Sequence, residues 1–164
     1  MEKENFMATI RVDQSPEAAF NAITNVRGWW SEDIAGSTTE LNAEFIYHYR
    51  DVHYCKAKLI ELVPNKKVVW EVLDNYFNFI DDKSEWKGTK LVFDISAANG
   101  QTVVTFTHEG LVPTYECYEI CNEAWTNYIK TSLYQLITTG KGNPNPKEGD
   151  GFNTELAKKW KLEA

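Results

Sequence analysis

The sequence predicts an α+β fold in which a curved antiparallel sheet wraps around one long helix near the C-terminus. Two periodicities predict this fold. Apolar residues alternate with a period of two between residues 38 and 109, as in strands with one buried face. Between residues 115 and 139 the period changes to 3.6, as in an amphipathic helix. One helix buries its apolar stripe against one sheet only if the sheet curls around it, and the gap that remains becomes a cavity.

The N-terminal part of the sequence predicts a strand, FMATIRV, and then a helix over about residues 16–24. Ser15 stands at the N-cap of this helix and Pro16 at its first position, where these residue types are favoured. The next segment, NVRGWWSEDI, is interpreted as a short helical or irregular piece. It carries Trp29 and Trp30, which we expect to form a lid over the open end of the cavity.

About five short strands are expected in the alternating region, and an antiparallel meander is the simplest arrangement of sequential strands. The turn PNKK, residues 64–67, separates two of them, and Asn99-Gly100 is a strong hairpin signal. The long helix would measure roughly 35 Å at about 1.5 Å per residue. Gly140 suits its C-cap.

Residues 1–142 are expected to form a single domain, because a chain of 164 residues can bury one core. Residues 143–164 are expected to form a polar C-terminal tail, whose last segment, NTELAKKWKLEA, can form one or two helical turns. The first residues contain no apolar signal region, and no run of about 18 apolar residues occurs. These features predict a cytoplasmic protein without membrane insertion.

The composition narrows the range of partners. The net charge of -7 argues against nucleic acid, which requires clustered Lys and Arg. Three cysteines are an odd number, which suits reduced thiols better than disulfides. Six Trp, eight Tyr and eight Phe require either a thick core or a cavity that they line. An internal pocket is therefore expected. The protein is expected to be either a monomer or a homodimer.

Several segments resemble one known family. They are SPEAAFNAI, ELVPNKKVVWEV, WKGTKLVFDI and TFTHEGLVP, and above all Trp125 with the following YIKTSLYQLITTGKG. Together they resemble the bacterial homologues of the activator of heat-shock-protein ATPase. That family belongs to the START-like, birch-pollen-allergen-like superfamily (SRPBCC) with the helix-grip fold. The resemblance extends over roughly residues 6–146 and keeps the segments in order.

The resemblance implies a curved sheet that grips a long C-terminal helix, with a pocket between them. Many members of the superfamily bind apolar ligands such as lipids, sterols or polyketides, and a minority are cyclases or hydrolases. We therefore expect binding of a small hydrophobic or amphipathic molecule in this cavity, without a cofactor. One alternative is a cyclase- or hydrolase-type enzyme that uses the same cavity, and another is a purely structural domain with a filled core.

A further alternative is a module that stimulates a chaperone ATPase, so that a chaperone is the partner. The eukaryotic co-chaperone of this family carries a separate N-terminal domain that contacts the chaperone. This sequence begins directly with the first predicted strand. An interaction module of this kind would present an exposed surface patch and no enclosed cavity.

The predicted ligand-binding cavity is lined by ten aromatic residues, one histidine and one isoleucine. They are Trp29, Trp30, Phe45, Tyr47, Trp70, Trp86, Phe93, Phe106, His108, Trp125, Tyr128 and Ile129.

The weak catalytic candidates are His108 and Glu61. His108 shares the strand phase of Phe106 and is expected to face the cavity, whereas Glu109 points to the opposite face. His108 is interpreted as a histidine that is hydrogen-bonded at the end of the sheet. The alternatives are a polar group that binds a ligand and a general base. Glu61 shares the phase of Leu59, which would place a carboxylate near the cavity mouth.

Cys117 and Cys121 lie one helical turn apart and could share a face. With His108 they would supply at most three zinc ligands, and the spacing is not the CxxC of structural zinc sites. We therefore expect buried free cysteines and no metal.

Overall fold

The computed structural model describes residues 5–50, 52–78, 80–81, 83–112, 118–147 and 151–161. The described strands are β1 (Phe6–Val12), β2 (Ile34–Gly36), β3 (Glu44–Tyr49), β4 (His53–Val63), β5 (Lys67–Phe77), β6 (Lys90–Ala98) and β7 (Gln101–Glu109). The described α-helices are α1 (Pro16–Thr24), α2 (Tyr118–Asn127), α3 (Tyr134–Thr139) and α4 (Phe152–Trp160).

The seven strands form one antiparallel sheet in the order β1-β7-β6-β5-β4-β3-β2. Five of them, β3 to β7, form the predicted meander, and β1 pairs with β7 at one edge. The sheet curves around a long helix, so the predicted helix-grip fold is confirmed. The short edge strand β2 was not predicted, because IAG carries too few residues to show an alternation.

Local signals in the sequence fix several element ends. The Ser15 hydroxyl accepts a hydrogen bond from the Ala18 amide at 3.1 Å, which is the N-cap geometry predicted for α1. Asn99 and Gly100 both have positive φ, 54° and 79°, as a two-residue hairpin turn of type I′ requires. The long β6–β7 hairpin therefore begins from a turn that its own sequence selects.

The long helix of the fold, residues 118–139, has three consecutive parts. α2 continues into a π-helical stretch, Tyr128–Leu133, and then into α3. The 3.6-residue period did not predict the π stretch, because the apolar residues on both sides keep the same face. The predicted start of the helix at residue 115 lies outside the described residues.

The segment after the long helix returns to the core. Gly140 has φ 85° and donates its amide to the Leu136 carbonyl at 3.0 Å, the predicted C-cap. The Asn145 amide then donates to the Trp30 carbonyl at 3.0 Å. α4 follows, with Leu156 buried. The described parts of the polar tail therefore pack against the rest of the fold.

Among the described residues, no helix is long and apolar enough to cross a membrane.

Gly142 allows the returning segment to pass close to the backbone of Gly28 and Ser132. A Cβ at this position would collide with the Gly28 carbonyl oxygen and lie 2.9 Å from that of Ser132. We expect Gly142→Ala to lower the free energy of unfolding by about 1–3 kcal/mol in urea titrations, as overpacking does. It should also change the near-ultraviolet circular dichroism of the tryptophans, since Gly28 precedes Trp29.

Gly140→Ala is the matched control, because a Cβ at Gly140 meets nothing within 4 Å. We expect a loss of about 1 kcal/mol from the positive φ alone and an unchanged near-ultraviolet spectrum. Equal behaviour of the two variants would contradict the close approach at Gly142.

Candidate ligand-binding site

The interior of the fold is filled by stacked aromatic rings. Trp30 stacks on Trp70 with ring centroids 6.0 Å apart and on Tyr47 at 4.5 Å, and Trp86 stacks on Trp125 at 5.6 Å. The twelve residues that the sequence predicted for the cavity are all buried. Trp29 and Trp30 do not form a lid over an open end, because Trp29 also stacks on Trp70 inside the core.

Five of the twelve predicted residues line an apolar cavity between the sheet, the long helix and α4. These are Trp30, Tyr47, Trp86, Trp125 and Tyr128. The other seven are packed in the core around them and do not touch this space. They are Trp29, Phe45, Trp70, Phe93, Phe106, His108 and Ile129. Large rings fill the gap between sheet and helix over most of its length, so the cavity is confined to one end.

The cavity lies between β3, β4, β5, the start of the long helix and α4. Its volume is about 50 Å³, which is room for a few water molecules. An apolar cavity that binds benzene has about 150 Å³. Sequence reasoning missed four of its lining residues that matter for its chemistry, namely His53, Cys121, Asn153 and Leu156.

A hydrogen-bonded polar cluster forms one wall of the cavity. The Tyr128 hydroxyl donates to Asn153 Oδ1 at 2.6 Å, and Asn153 Nδ2 donates to the Tyr47 hydroxyl at 2.6 Å. Asn145 Nδ2 donates to the Tyr128 hydroxyl at 2.9 Å and to the Trp30 carbonyl at 3.0 Å. Asn145 Oδ1 accepts a hydrogen bond from the backbone N–H of Asn153 at 2.8 Å. The cluster therefore joins β3, the long helix, the returning segment and α4.

The two tyrosines of this cluster are neutral phenols. Burial raises the pKa of Tyr47 well above its ordinary value, and the neighbouring Tyr128 raises it further. Burial also raises the pKa of Tyr128, although its hydrogen bonds with Asn145 and others oppose the shift.

His108 is completely buried and is engaged through both ring nitrogens. Trp125 Nε1 donates to His108 Nδ1 at 3.1 Å, so the ring proton lies on Nε2, which is 2.8 Å from the Thr89 hydroxyl. Thr89 in turn donates to the Trp86 carbonyl at 2.6 Å. This chain of hydrogen bonds fixes Trp125 against Trp86, and His108 acts in it as a positioning residue.

Burial lowers the pKa of His108 to about 3. The ring is therefore neutral near pH 7 and has no free nitrogen with which to accept a substrate proton. Of the three interpretations of His108, the hydrogen-bonded histidine at the sheet end describes these contacts.

The expectation that Glu61 lies near the cavity mouth is not met. Glu61 is exposed, because the β4–β5 register shifts between Leu59 and Glu61. Leu59 is buried before the bulge, and Leu62 packs against the core after it. One extra residue reverses the faces of the strand, so Glu61 and His108 do not face the same space.

His53 lines the cavity from the first position of β4. Its Nε2 lies 3.0 Å from Asn75 Oδ1, and its ring stacks on Phe77 at 4.3 Å. Burial lowers its pKa to about 3, although the Asn75 hydrogen bond opposes the shift. Its signal in the sequence was the phase of Cys55, which is buried on the same strand.

The described cysteines are free. Cys55 and Cys121 are both buried, as expected, and burial raises the pKa of Cys55 above its ordinary range. Cys117 lies outside the described residues. Within the described ranges, no group of three or more His, Cys, Asp or Glu side chains could hold a metal ion.

A sequence profile of the family described as "Activator of Hsp90 ATPase homolog 1-like protein" matches residues 13–138. The chain belongs to this family. This match confirms the resemblance predicted from the sequence. The helix-grip fold of this family is a type of ligand-binding domain. A comparison with curated proteins finds no significant match.

Among solved structures, the Aha1 dimer from Colwellia psychrerythraea is similar at 26% identity with a TM-score of 0.68, over 85% of this chain and 99% of that one. SSP2350 from Staphylococcus saprophyticus is 15% identical with a TM-score of 0.62, over 85% and 95%. DynU16, a protein in the dynemicin biosynthetic locus, is 12% identical with a TM-score of 0.63, over 86% of this chain and 49% of that one. The last two likenesses concern the fold alone.

Two neutral histidines, the buried His108 and the half-buried His53, predict a pH-dependent stability. An unfolded histidine binds a proton near pH 6.5, whereas His53 and His108 bind one only near pH 3. The unfolded state therefore takes up protons as the pH falls from about 6.5 to 3, and the fold loses stability over that window. We expect a loss of up to about 1.4 kcal/mol per pH unit for each histidine in urea titrations. Imidazole NMR signals that titrate near pH 6.5 for these two residues would contradict it.

The Tyr128 hydroxyl predicts a second stability effect. Tyr128→Phe leaves Asn153 Oδ1 and Asn145 Nδ2 without this partner in a buried site. We expect the free energy of unfolding to fall by about 1–3 kcal/mol. The control Tyr134→Phe changes a residue of the same helix that is 40% exposed and should stay within about 0.5 kcal/mol. Equal losses of unfolding free energy in the two variants would contradict a stabilising contribution from the Tyr128 hydrogen bonds.

Proposed function

We propose that this protein binds a small apolar or amphipathic molecule in the cavity beneath α4. The observation that carries the proposal is an aromatic cavity with few polar groups, one wall of which is a short terminal helix. Ligand sites are typically apolar pockets in which a few placed polar groups fix orientation. Here Tyr47, Tyr128, His53 and Asn153 are such groups.

An unused hydrogen-bond donor supports this proposal. Trp86 lines the cavity, and its indole N–H is buried without a hydrogen-bond partner among the described residues. Buried polar groups are nearly always paired, so an unpaired donor in a cavity wall is a feature that a ligand can complete.

The volume of about 50 Å³ requires the cavity to enlarge on binding. Pockets for drug-sized ligands hold about 300–1,000 Å³. α4 is the wall best suited to move, because it contributes Asn153 and Leu156 to the cavity and its far end is held through one described residue, Glu123, which accepts from Lys159 and the half-buried Trp160. The Lys159–Glu123 ion pair, at 2.8 Å, joins side chains that are 63% and 34% exposed. Such surface pairs contribute little, about 0–1 kcal/mol.

A chaperone interaction is the second candidate function, and the family name is the observation that favours it. The large exposed apolar side chains among the described residues are Met7, Leu41, Val63, Tyr76 and Tyr134, which belong to five different segments. The Colwellia relative is named as a dimer, which supports a homodimer as the assembly of this chain. The cytoplasmic location stays a prediction from the sequence.

Binding can be tested with the uncharged fluorescent probe N-phenyl-1-naphthylamine and by native mass spectrometry of protein purified from its own cells. We expect a one-to-one complex with the probe. Ala124→Leu fills the cavity, which Ala124 lines, and should weaken probe binding at least tenfold.

Ala97→Leu is the matched control, since Ala97 is exposed on β6, and should change the affinity less than twofold. Equal probe binding by both variants would place the probe elsewhere. Absence of any ligand or probe complex would overturn the proposed function.

A further inference from the structure

Asn153 lies in the cavity wall and is hydrogen-bonded to both buried tyrosine hydroxyls. Its side chain is a primary carboxamide, and it bridges two phenols at 2.6 Å each. The residue is buried, with 7% exposure, although it belongs to the first turn of a terminal helix. Leu156, one turn later, places an apolar side chain in the same cavity. α4 thus presents a polar group and an apolar group together, as an amphipathic ligand does.

The two phenols require a particular pattern of partners. The Tyr128 hydroxyl already accepts from Asn145, so its proton needs an acceptor, which Asn153 Oδ1 supplies. The Tyr47 hydroxyl accepts a hydrogen bond from Asn153 Nδ2. A group that reproduces the hydrogen bonds of Asn153 presents an acceptor to Tyr128 and a donor to Tyr47.

The described residues in the rest of the cavity wall offer no charge to a ligand. The described lining residues are aromatic or aliphatic, with one cysteine, one asparagine and His53, and they include no Lys, Arg, Asp or Glu. His53 is neutral, because burial keeps its pKa near 3. Arg50 lies over the Tyr49 ring, at 5.3 Å, and lines a more open pocket that shares His53 with the cavity. A carboxylate or an ammonium head would find no counter-charge among the described lining residues, and burying it unpaired is strongly unfavourable.

Resting on the proposed ligand site, we propose that Asn153 is an internal stand-in for the ligand's head group. The ligand is an uncharged amphipathic molecule with a carboxamide, or an adjacent hydroxyl and carbonyl, that displaces Asn153 from Tyr47 and Tyr128. Its apolar part takes the space of Leu156. α4 and the ligand compete for one site. The observed dissociation constant is therefore the intrinsic one divided by the fraction of molecules in which α4 is open.

The first test compares three molecules with the same chain and different heads: octanamide, octanoate and octylamine. Their dissociation constants for the wild-type protein are measured at pH 7 by calorimetry and by displacement of N-phenyl-1-naphthylamine. We expect octanamide to bind at least tenfold more tightly than either charged molecule. Octanoate or octylamine binding as tightly as octanamide overturns the head-group assignment.

The second test removes the competing group. Asn153→Ala frees both phenols, and we expect octanamide to bind at least fivefold more tightly than it does to the wild type. Glu155→Ala is the matched control on the same helix, because its side chain is 74% exposed, and should bind octanamide within twofold of the wild type. An Asn153→Ala affinity equal to or weaker than the wild-type value overturns the competition.

The third test removes the partner of the ligand's acceptor. Tyr128→Phe should reduce the preference for octanamide over octanoate to less than threefold, whereas Tyr134→Phe should retain the wild-type preference. If the role of Tyr128 is merely structural, its loss weakens the binding of octanamide and octanoate equally and leaves the ratio of their dissociation constants unchanged. That result overturns the assignment.

The outcomes separate the two proposals. Binding of the naphthylamine probe without a preference for octanamide leaves the ligand site standing and removes the Asn153 assignment. Absence of binding by the probe and by all three eight-carbon molecules removes both.

Discussion

The structure of the candidate site depends on the need to satisfy two buried tyrosine hydroxyls. Tyr47 on β3 and Tyr128 on the long helix approach each other where the sheet and the helix diverge. Neither hydroxyl can stay unpaired without a large loss of free energy. Asn145 and Asn153 supply the partners, and both come from the segment after the long helix. The hydroxyls therefore hold this segment in place, and with it the wall that closes the cavity.

Much of the fold could be predicted because local signals and periodicity agree. The Ser15 N-cap, the Asn99-Gly100 turn and the Gly140 C-cap lie at ends that the sequence marks chemically. The strand β2 and the π stretch could not be predicted, since both depend on contacts with distant residues. Ser132 in the π stretch donates to the Trp29 carbonyl at 2.7 Å and accepts from the Asn143 amide at 2.8 Å.

The candidate site was predictable only in part. Periodicity identifies which aromatic residues are inward-facing, but not whether their rings leave space between them. The stacking of Trp29, Trp30 and Trp70 decides that most of the interior is filled. A bulge in β4 turns Glu61 away from the core, because the alternation of buried and exposed residues changes phase where an extra residue enters the strand. Asn153 was missed because an asparagine in a polar segment carries no sign of burial until its tertiary partners are known.

The most direct measurement of the central claim is a crystal structure of the protein with octanamide. The account predicts that the carboxamide lies between the Tyr47 and Tyr128 hydroxyls, within hydrogen-bond distance of both, and that Asn153 has withdrawn with α4. Octanamide bound elsewhere, with Asn153 still bridging the two tyrosines, would contradict it.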